Sequence, residues 1–344
     1  MLGRLPRRVV GVIEPTRERP LIVAHRGASG YRPEHTRAAY ELAIALGAEA
    51  VEPDIVATRD GQLVLRHENE ISGTTDVADR PEFAHRRTTK TIDGERLTGW
   101  FTEDFTWAEL STLRARERLP AVRQASTRFD GRYPILRLRD LMAILDAAPR
   151  PVGMVAEIKH ATHFAAIGLP LDELFAAEVA GWQPAAPLVV EAFEQSVLAD
   201  VRDRGVEARY MFLLEKSGSP ADLVERFGAA ALSYAGHLTD AGLARLAGSV
   251  EGISVDTALV AKPESRGGPV VTSDLVARAH VAGLDVFTWT LRPENRFLPG
   301  SLRVGAGAAS HGDWLTWFQT LMRAGVDGVF ADHPDLALEA RAGL

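Results

Sequence analysis

What most constrains the fold of this chain is a repeated alternation. Short apolar runs of strand length are each followed by a stretch with helical periodicity. The run Leu21-Ile22-Val23-Ala24 leads to Ala38, Ala39, Leu42, Ala43 and Leu46 at helical spacing, closed by Gly47. A second run occupies 50–57, and Arg59-Asp60-Gly61 is a turn signal into a third at 62–67. From residue 138 the rhythm is regular. Strands are expected over 152–158, 188–193, 209–214, 231–234, 253–256, 286–290 and 328–331. Helices are expected over 138–147, 171–181, 194–204, 221–227, 241–247, 274–282, 315–324 and 335–341. About eight strand–helix units predict an α/β fold with a parallel sheet. No early Gly-x-Gly-x-x-Gly accompanies them, so a TIM (β/α)8 barrel is favoured over a dinucleotide fold. Chemistry in such a barrel sits at the C-terminal ends of the strands.

The length of 344 residues suits one barrel domain spanning 1–344. Residues 1–20 read as an N-terminal extension. Residues 68–132, after the second barrel strand region, break the rhythm; they are polar and Arg-rich, with 106–116 as their best helix, and read as an insertion at the barrel rim. Ser72 to Asp76, Trp100 and Phe101 within it are expected to cover a cleft. A net charge of −7 disfavours nucleic acid as a partner. With no cysteine, thiolate chemistry and disulfides are excluded. No apolar run approaches the ~18 residues of an integral membrane segment. Val9 to Ile13 is too short for the core of a secretion signal, so the chain as it stands is expected in the cytoplasm, or exported if a leader has been removed. Nothing in the pattern sets the oligomeric state.

Four strands carry polar chemistry at or near their ends. His25 and Arg26 follow the first run, Glu52 and Asp54 stand on the second, His67 closes the third, and Glu157 and Lys159 stand on the strand at 152–158. Residues two apart on a strand share a face. Glu52, Asp54 and Glu157 therefore form either a hard-oxygen site for a divalent cation, Ca²⁺ or Mg²⁺, or a set of ion pairs with rim Arg and Lys. His25 and His67 titrate near neutrality and can divide acid and base roles, or be satisfied rim histidines. His35, His160 and His163 are weaker candidates, and His85 reads as a surface residue. Arg26 and Lys159 offer an anion site or simple pairing with the acids. Phe193 and Trp289 either wall a substrate cleft or pack in the core. Glu34 at a helix start is explained by the helix dipole alone. Pro53, inside the acidic strand, predicts a bulge or strand end.

In order along the chain, His25-Arg26-Gly27, Pro33-Glu34-His35-Thr36, Glu52-Pro53-Asp54, Thr58-Arg59-Asp60-Gly61, His67, Glu157-Ile158-Lys159, Trp289-Thr290 and Asp332-His333-Pro334-Asp335 resemble the glycerophosphodiester phosphodiesterase family. The resemblance runs from residue 21 to 335, and the stretch after His67 looks like the insertion of the family's larger branch. It implies a TIM barrel that hydrolyses glycerophosphodiesters to sn-glycerol 3-phosphate and an alcohol. It also implies one divalent cation, Ca²⁺ or Mg²⁺, on Glu52, Asp54 and Glu157, with His25 and His67 as acid and base and Arg26 and Lys159 on the phosphate. Two departures are His35, where the family commonly has Asn, and Glu68, where it commonly has Asp. Gly27 is expected to turn the backbone away from the phosphate. The alternatives are a phospholipase-type enzyme with an aromatic rim at Trp100, Phe101, Phe105 and Trp107, and a catalytically silent phosphate-binding barrel.

Overall fold

The computed structural model describes residues 19–265 and 267–344; of the expected extension at 1–20, only the last two residues fall within it. Fourteen strands occur among the described residues, in chain order. They are β1 Leu21–His25, β2 Ala50–Glu52, β3 Asp54–Ala57, β4 Leu63–Leu65, β5 Thr88–Ile92, β6 Glu95–Gly99, β7 Gly153–Ile158, β8 Leu188–Ala192, β9 Arg209–Leu214, β10 Gly252–Asp256, β11 Ala261–Pro263, β12 Val270–Thr272, β13 Asp285–Leu291 and β14 Gly328–Ala331. The wall runs β2-β1-β14-β13-β10-β9-β8-β7-β3, and β2 also pairs with β7, which closes it. All of these pairings are parallel. Since β2 and β3 are two halves of one wall strand, the barrel has eight staves.

Pro53 makes that division. It has no N–H to donate, and the strand breaks between Glu52 and Asp54 as expected, while the Pro53 carbonyl still accepts the Glu157 amide at 2.9 Å. Beyond the break, β3 continues past the rim and β4 returns antiparallel to it, with Ile55 opposite Leu65. The expected third strand is thus not a stave but the return arm of a hairpin. It brings His67 back over Asp54, whose carbonyl accepts the Arg66 amide at 3.0 Å.

The helices form the outer layer, and two of them show how a side-chain cap and one buried face define the element. In Arg37–Ala45, the Thr36 side chain accepts the Ala39 amide, and Ala39, Tyr40, Ala43 and Ile44 are buried. In Trp314–Arg323, Asp313 caps Thr316, and Trp317, Phe318, Leu321 and Met322 face inward. Two expectations fail. The helix at 106–116 is only Trp107–Leu110, because Arg114 and Ala115 are taken by bridges to Pro134 and Thr75. The strand at 231–234 is absent. Ser233 instead caps the short helix Tyr234–His237 by accepting the Gly236 amide.

Two-residue alternation sorts each stave between layers. Val23, Ala50, Val155, Val189, Met211, Phe287 and Phe330 pack together as one apolar cluster inside the barrel. One alternation step toward the C-terminal end stand His25, Glu52, Glu157, Glu191, Leu213, Trp289 and Asp332. A greasy plug therefore floors a polar layer, and the polar layer opens at the mouth.

Candidate active site

At the mouth lies a cavity of about 1040 Å³. His25, Arg26, Glu52, His67, Glu157, Lys159, Phe193 and Trp289 all line it. Asp54, fully buried, lies beneath the lining. Ligand atoms of Glu52, Asp54 and Glu157 lie within 4.8 Å of one another. The backbone explains the convergence, since Asp54 is the register partner of Glu157, and Glu52 that of His25.

Three partly competing effects set the charge of this cluster. Burial, then the neighbouring Asp54, pushes the Glu52 carboxyl well above the usual range. Glu157 is pushed up to about 8, mainly by burial, against the pull of Lys159. Burial alone would raise Asp54 too, but Arg26, Lys159 and the His35 hydrogen bond outweigh it and hold it well below its ordinary value. Lys159 Nζ sits 2.7 Å from Glu157 Oε1 and 3.8 Å from Asp54 Oδ1. Arg26 Nε is 3.0 Å from Asp54 Oδ2, off the angle of a hydrogen bond, and its Nη1 donates to Glu34 at 3.0 Å. Ion pairing is therefore real but incomplete. Glu52 Oε1 and Asp54 Oδ1 are buried with no hydrogen-bond partner. Unsatisfied buried carboxylate oxygens are costly. A hard divalent cation would satisfy them, and the three-oxygen donor set fits one.

The two histidines are built alike. His25 Nδ1 lies 2.6 Å from Asp332 Oδ1, and His67 Nδ1 is hydrogen-bonded to Glu68 Oε1. Ionised carboxylates only accept. Each Nδ1 therefore carries the proton and each Nε2 is free to take one. Asp332 is held well below its usual range; burial opposes this, but Arg292 and Arg123 outweigh it. His25 is lowered to about 4, first by burial and then by Arg26. His67 is lowered by burial, Arg26 and Lys159. Phe193 and Trp289 meet edge to face at 5.9 Å, and Lys159 Nζ stands 5.4 Å from the Phe193 ring centre. Both aromatics line the cavity with one side and pack against the apolar core with the other.

His35 proves closer to the chemistry than the sequence suggests. It is fully buried, with Nε2 2.9 Å from Asp54 Oδ2 and Nδ1 2.8 Å from the Tyr40 hydroxyl. His160 and His163 line the cavity but are engaged with Asp93 and Glu103, and His85 is exposed. Glu34 is more than a helix-start carboxylate, since it binds both Arg26 and Arg118. Glu191 was missed. It is 1 % exposed, Oε2 has no partner, and burial and Glu157 raise its carboxyl well above the usual range. Its place one step above Val189 is the signal that finds it.

Segment 68–132 reaches the cleft through Thr91, Asp93, Gly94 and Glu95 of the β5–β6 hairpin and through Arg118 and Leu119. Ser72–Asp76, Trp100 and Phe101, expected to cover it, are not among the lining residues. Trp100, Phe101 and Phe105 are 7 %, 0 % and 0 % exposed, and Trp107 packs partly against the core. The aromatic rim of the lipid reading is therefore core. No helix among the described residues is long and apolar enough to cross a membrane.

With this geometry, likeness to other proteins is informative. The model of the Glycerophosphoryl diester phosphodiesterase family matches residues 25–336. Glycerophosphodiester phosphodiesterase GDPD6 of Arabidopsis thaliana is 32 % identical over 91 % of this chain and 84 % of its own length. A glycerophosphodiester phosphodiesterase of Treponema pallidum is 26 % identical over 93 % and 91 %. Among solved structures, an Oleispira antarctica phosphodiesterase in complex with the product sn-glycerol-3-phosphate shares the fold, with a TM-score of 0.61 at 18 % identity over 94 % of this chain and 96 % of that one. A glycerophosphoryl diester phosphodiesterase from Parabacteroides distasonis matches with a TM-score of 0.55 at 16 % identity over 94 % and 87 %. This chain belongs to the glycerophosphoryl diester phosphodiesterase family.

Proposed function

We propose that the protein hydrolyses glycerophosphodiesters to sn-glycerol 3-phosphate and an alcohol by acid–base catalysis at this cleft. The observation that carries the proposal is the placing of His25 and His67, each Nδ1 locked to a carboxylate, in one cavity with three converging acids and two cations. Glu52, Asp54 and Glu157 would hold one Ca²⁺ or Mg²⁺. When bound, the ion supplies positive charge to a phosphate oxygen. Arg26 and Lys159 orient the phosphate and share the negative charge that builds in the transition state. Phe193 and Trp289 wall the cleft beside Lys159 and exclude water from that side.

Both imidazoles are neutral in the free protein and present Nε2 as an acceptor. One takes the proton of the attacking oxygen, which is water or the neighbouring glycerol hydroxyl. The other takes a proton once the phosphate anion is bound and gives it to the departing alkoxide. The test is a panel of soluble glycerophosphodiesters with a Ca²⁺ and Mg²⁺ titration. Turnover that needs added cation and is lost on chelation is expected; turnover unchanged after exhaustive chelation would remove the three-carboxylate assignment. His25→Ala and His67→Ala are each expected to lower kcat by about 10²–10⁴-fold.

A further inference from the structure

Neither histidine is held by its carboxylate alone. Glu68, which accepts from His67, is itself gripped by Arg118, whose Nη1 donates to Oε1 at 2.9 Å and Nη2 to Oε2 at 2.7 Å. The same guanidinium donates from Nε and Nη2 to both oxygens of Glu34, each at 2.7 Å, and Glu34 in turn accepts from Arg26. Five residues on, Arg123 does the equivalent for His25. It donates from Nη2 to Asp332 Oδ2, from Nε to Glu294 at 2.8 Å and from Nη1 to the Ser29 carbonyl at 3.2 Å. Arg118 and Arg123 flank one tight turn, in which the amides of Val122 and Arg123 both donate to the Leu119 carbonyl.

We propose that this turn of the 68–132 segment is an orienting clamp for both histidines, through Arg118–Glu68–His67 and Arg123–Asp332–His25. Arg118 and Arg123 are positioning residues, since their hydrogen bonds run to the carboxylates that hold His67 and His25. A planar fork can fix a carboxylate in two directions at once, which a point charge cannot. Glu68 suits this role through its length: it accepts from the histidine and from Arg118 together. The two arms are not equal. Asp332 keeps a second guanidinium, Arg292 Nε at 2.6 Å, whereas among the described residues Glu68 is bound by Arg118 alone of the arginines. The clamp also gives the insertion a catalytic purpose that its exposed polar surface does not suggest.

The inference rests on the acid–base reading above and is tested beside it. Arg118→Met is expected to lower kcat by about 10–100-fold with KM within about threefold, the scale seen when an outer partner of a functional side chain is removed. Arg118→Lys should recover only part, and Arg123→Met should fall less than Arg118→Met. A diester with a p-nitrophenolate leaving group needs no acid, so the arm serving the acid histidine is expected to lose little on that substrate while the other arm loses on both. Where a Met variant unfolds, the Lys variant carries the same comparison. Unchanged kcat in both Arg118 variants, while His67→Ala is inactive, would overturn the clamp alone. Full turnover in His25→Ala and His67→Ala would overturn the acid–base reading instead.

Discussion

At the scale of the residue, polar groups in this mouth act in pairs, some between neighbours such as His67 and Glu68 and others between distant parts of the chain such as His25 and Asp332. His35 shows the principle. A weaker candidate on sequence grounds, it acts through a ligand rather than on substrate: its Nε2 fixes one oxygen of Asp54 and leaves Oδ1 without a hydrogen-bond partner. Outer partners of ligating carboxylates set their aim. His35→Asn keeps a donor near Asp54 and is expected to retain most activity. His35→Leu removes it and is expected to weaken the activating cation by about 10–100-fold, read as a shift in the metal concentration for half-maximal activity. An unchanged titration in the leucine variant would reduce His35 to a packing residue. Such partners were not legible in the sequence, because nothing local marks a contact between residues 35 and 54. His25, His67, Arg26, Lys159 and the three acids were legible, because each stands at or near the end of an apolar run.

At the scale of the element, one joint has a reason that the sequence does not announce. Gly27, expected to turn the backbone from the phosphate, has φ +83°. A Cβ there would also lie 2.7 Å from the carbonyl carbon of Ala39, in the helix Arg37–Ala45. Gly27 is therefore required by the close approach of β1's exit to the first turns of that helix, which the Ala28 amide consolidates by donating to the Ala39 carbonyl. Gly27→Ala combines a positive φ with a clash against backbone. We expect a loss of about 2–4 kcal/mol in denaturant unfolding; a change below about 0.5 kcal/mol would show that the joint yields. The staves and most helices follow the two- and 3.6-residue periods closely, because both layers were already written in those periods. The failures at 106–116 and 231–234 fall where tertiary bridges or a serine cap outweighed a weak local pattern. The hairpin of β3 and β4 was misplaced for a similar reason. Its apolar run resembles a stave, and only pairing reveals its direction.

At the scale of the whole molecule, the barrel separates stability from chemistry along its axis. The apolar plug floors the interior, and charged groups concentrate in the layer above, where burial perturbs them. This has a pH signature. His25 and His333 are both lowered to about 4 by burial, from about 6.5 when unfolded. Between those values the unfolded chain binds more protons than the native one, so stability rises with pH there and is lost on acidification from about 6.5 to about 4. Each histidine contributes on the order of 1–3 kcal/mol across that window. Thermal unfolding of His333→Gln should show a flatter acid limb than the parent; an identical limb would remove His333 from the account. The central claim, that this mouth cleaves glycerophosphodiesters with paired histidines beside a cation, is tested most directly by ³¹P NMR of glycerophosphocholine turnover. The parent protein with Ca²⁺ or Mg²⁺ is expected to convert the diester signal to that of sn-glycerol 3-phosphate, with His67→Ala slower by about 10²–10⁴-fold. Phosphocholine as product, or equal turnover by His67→Ala, would contradict it.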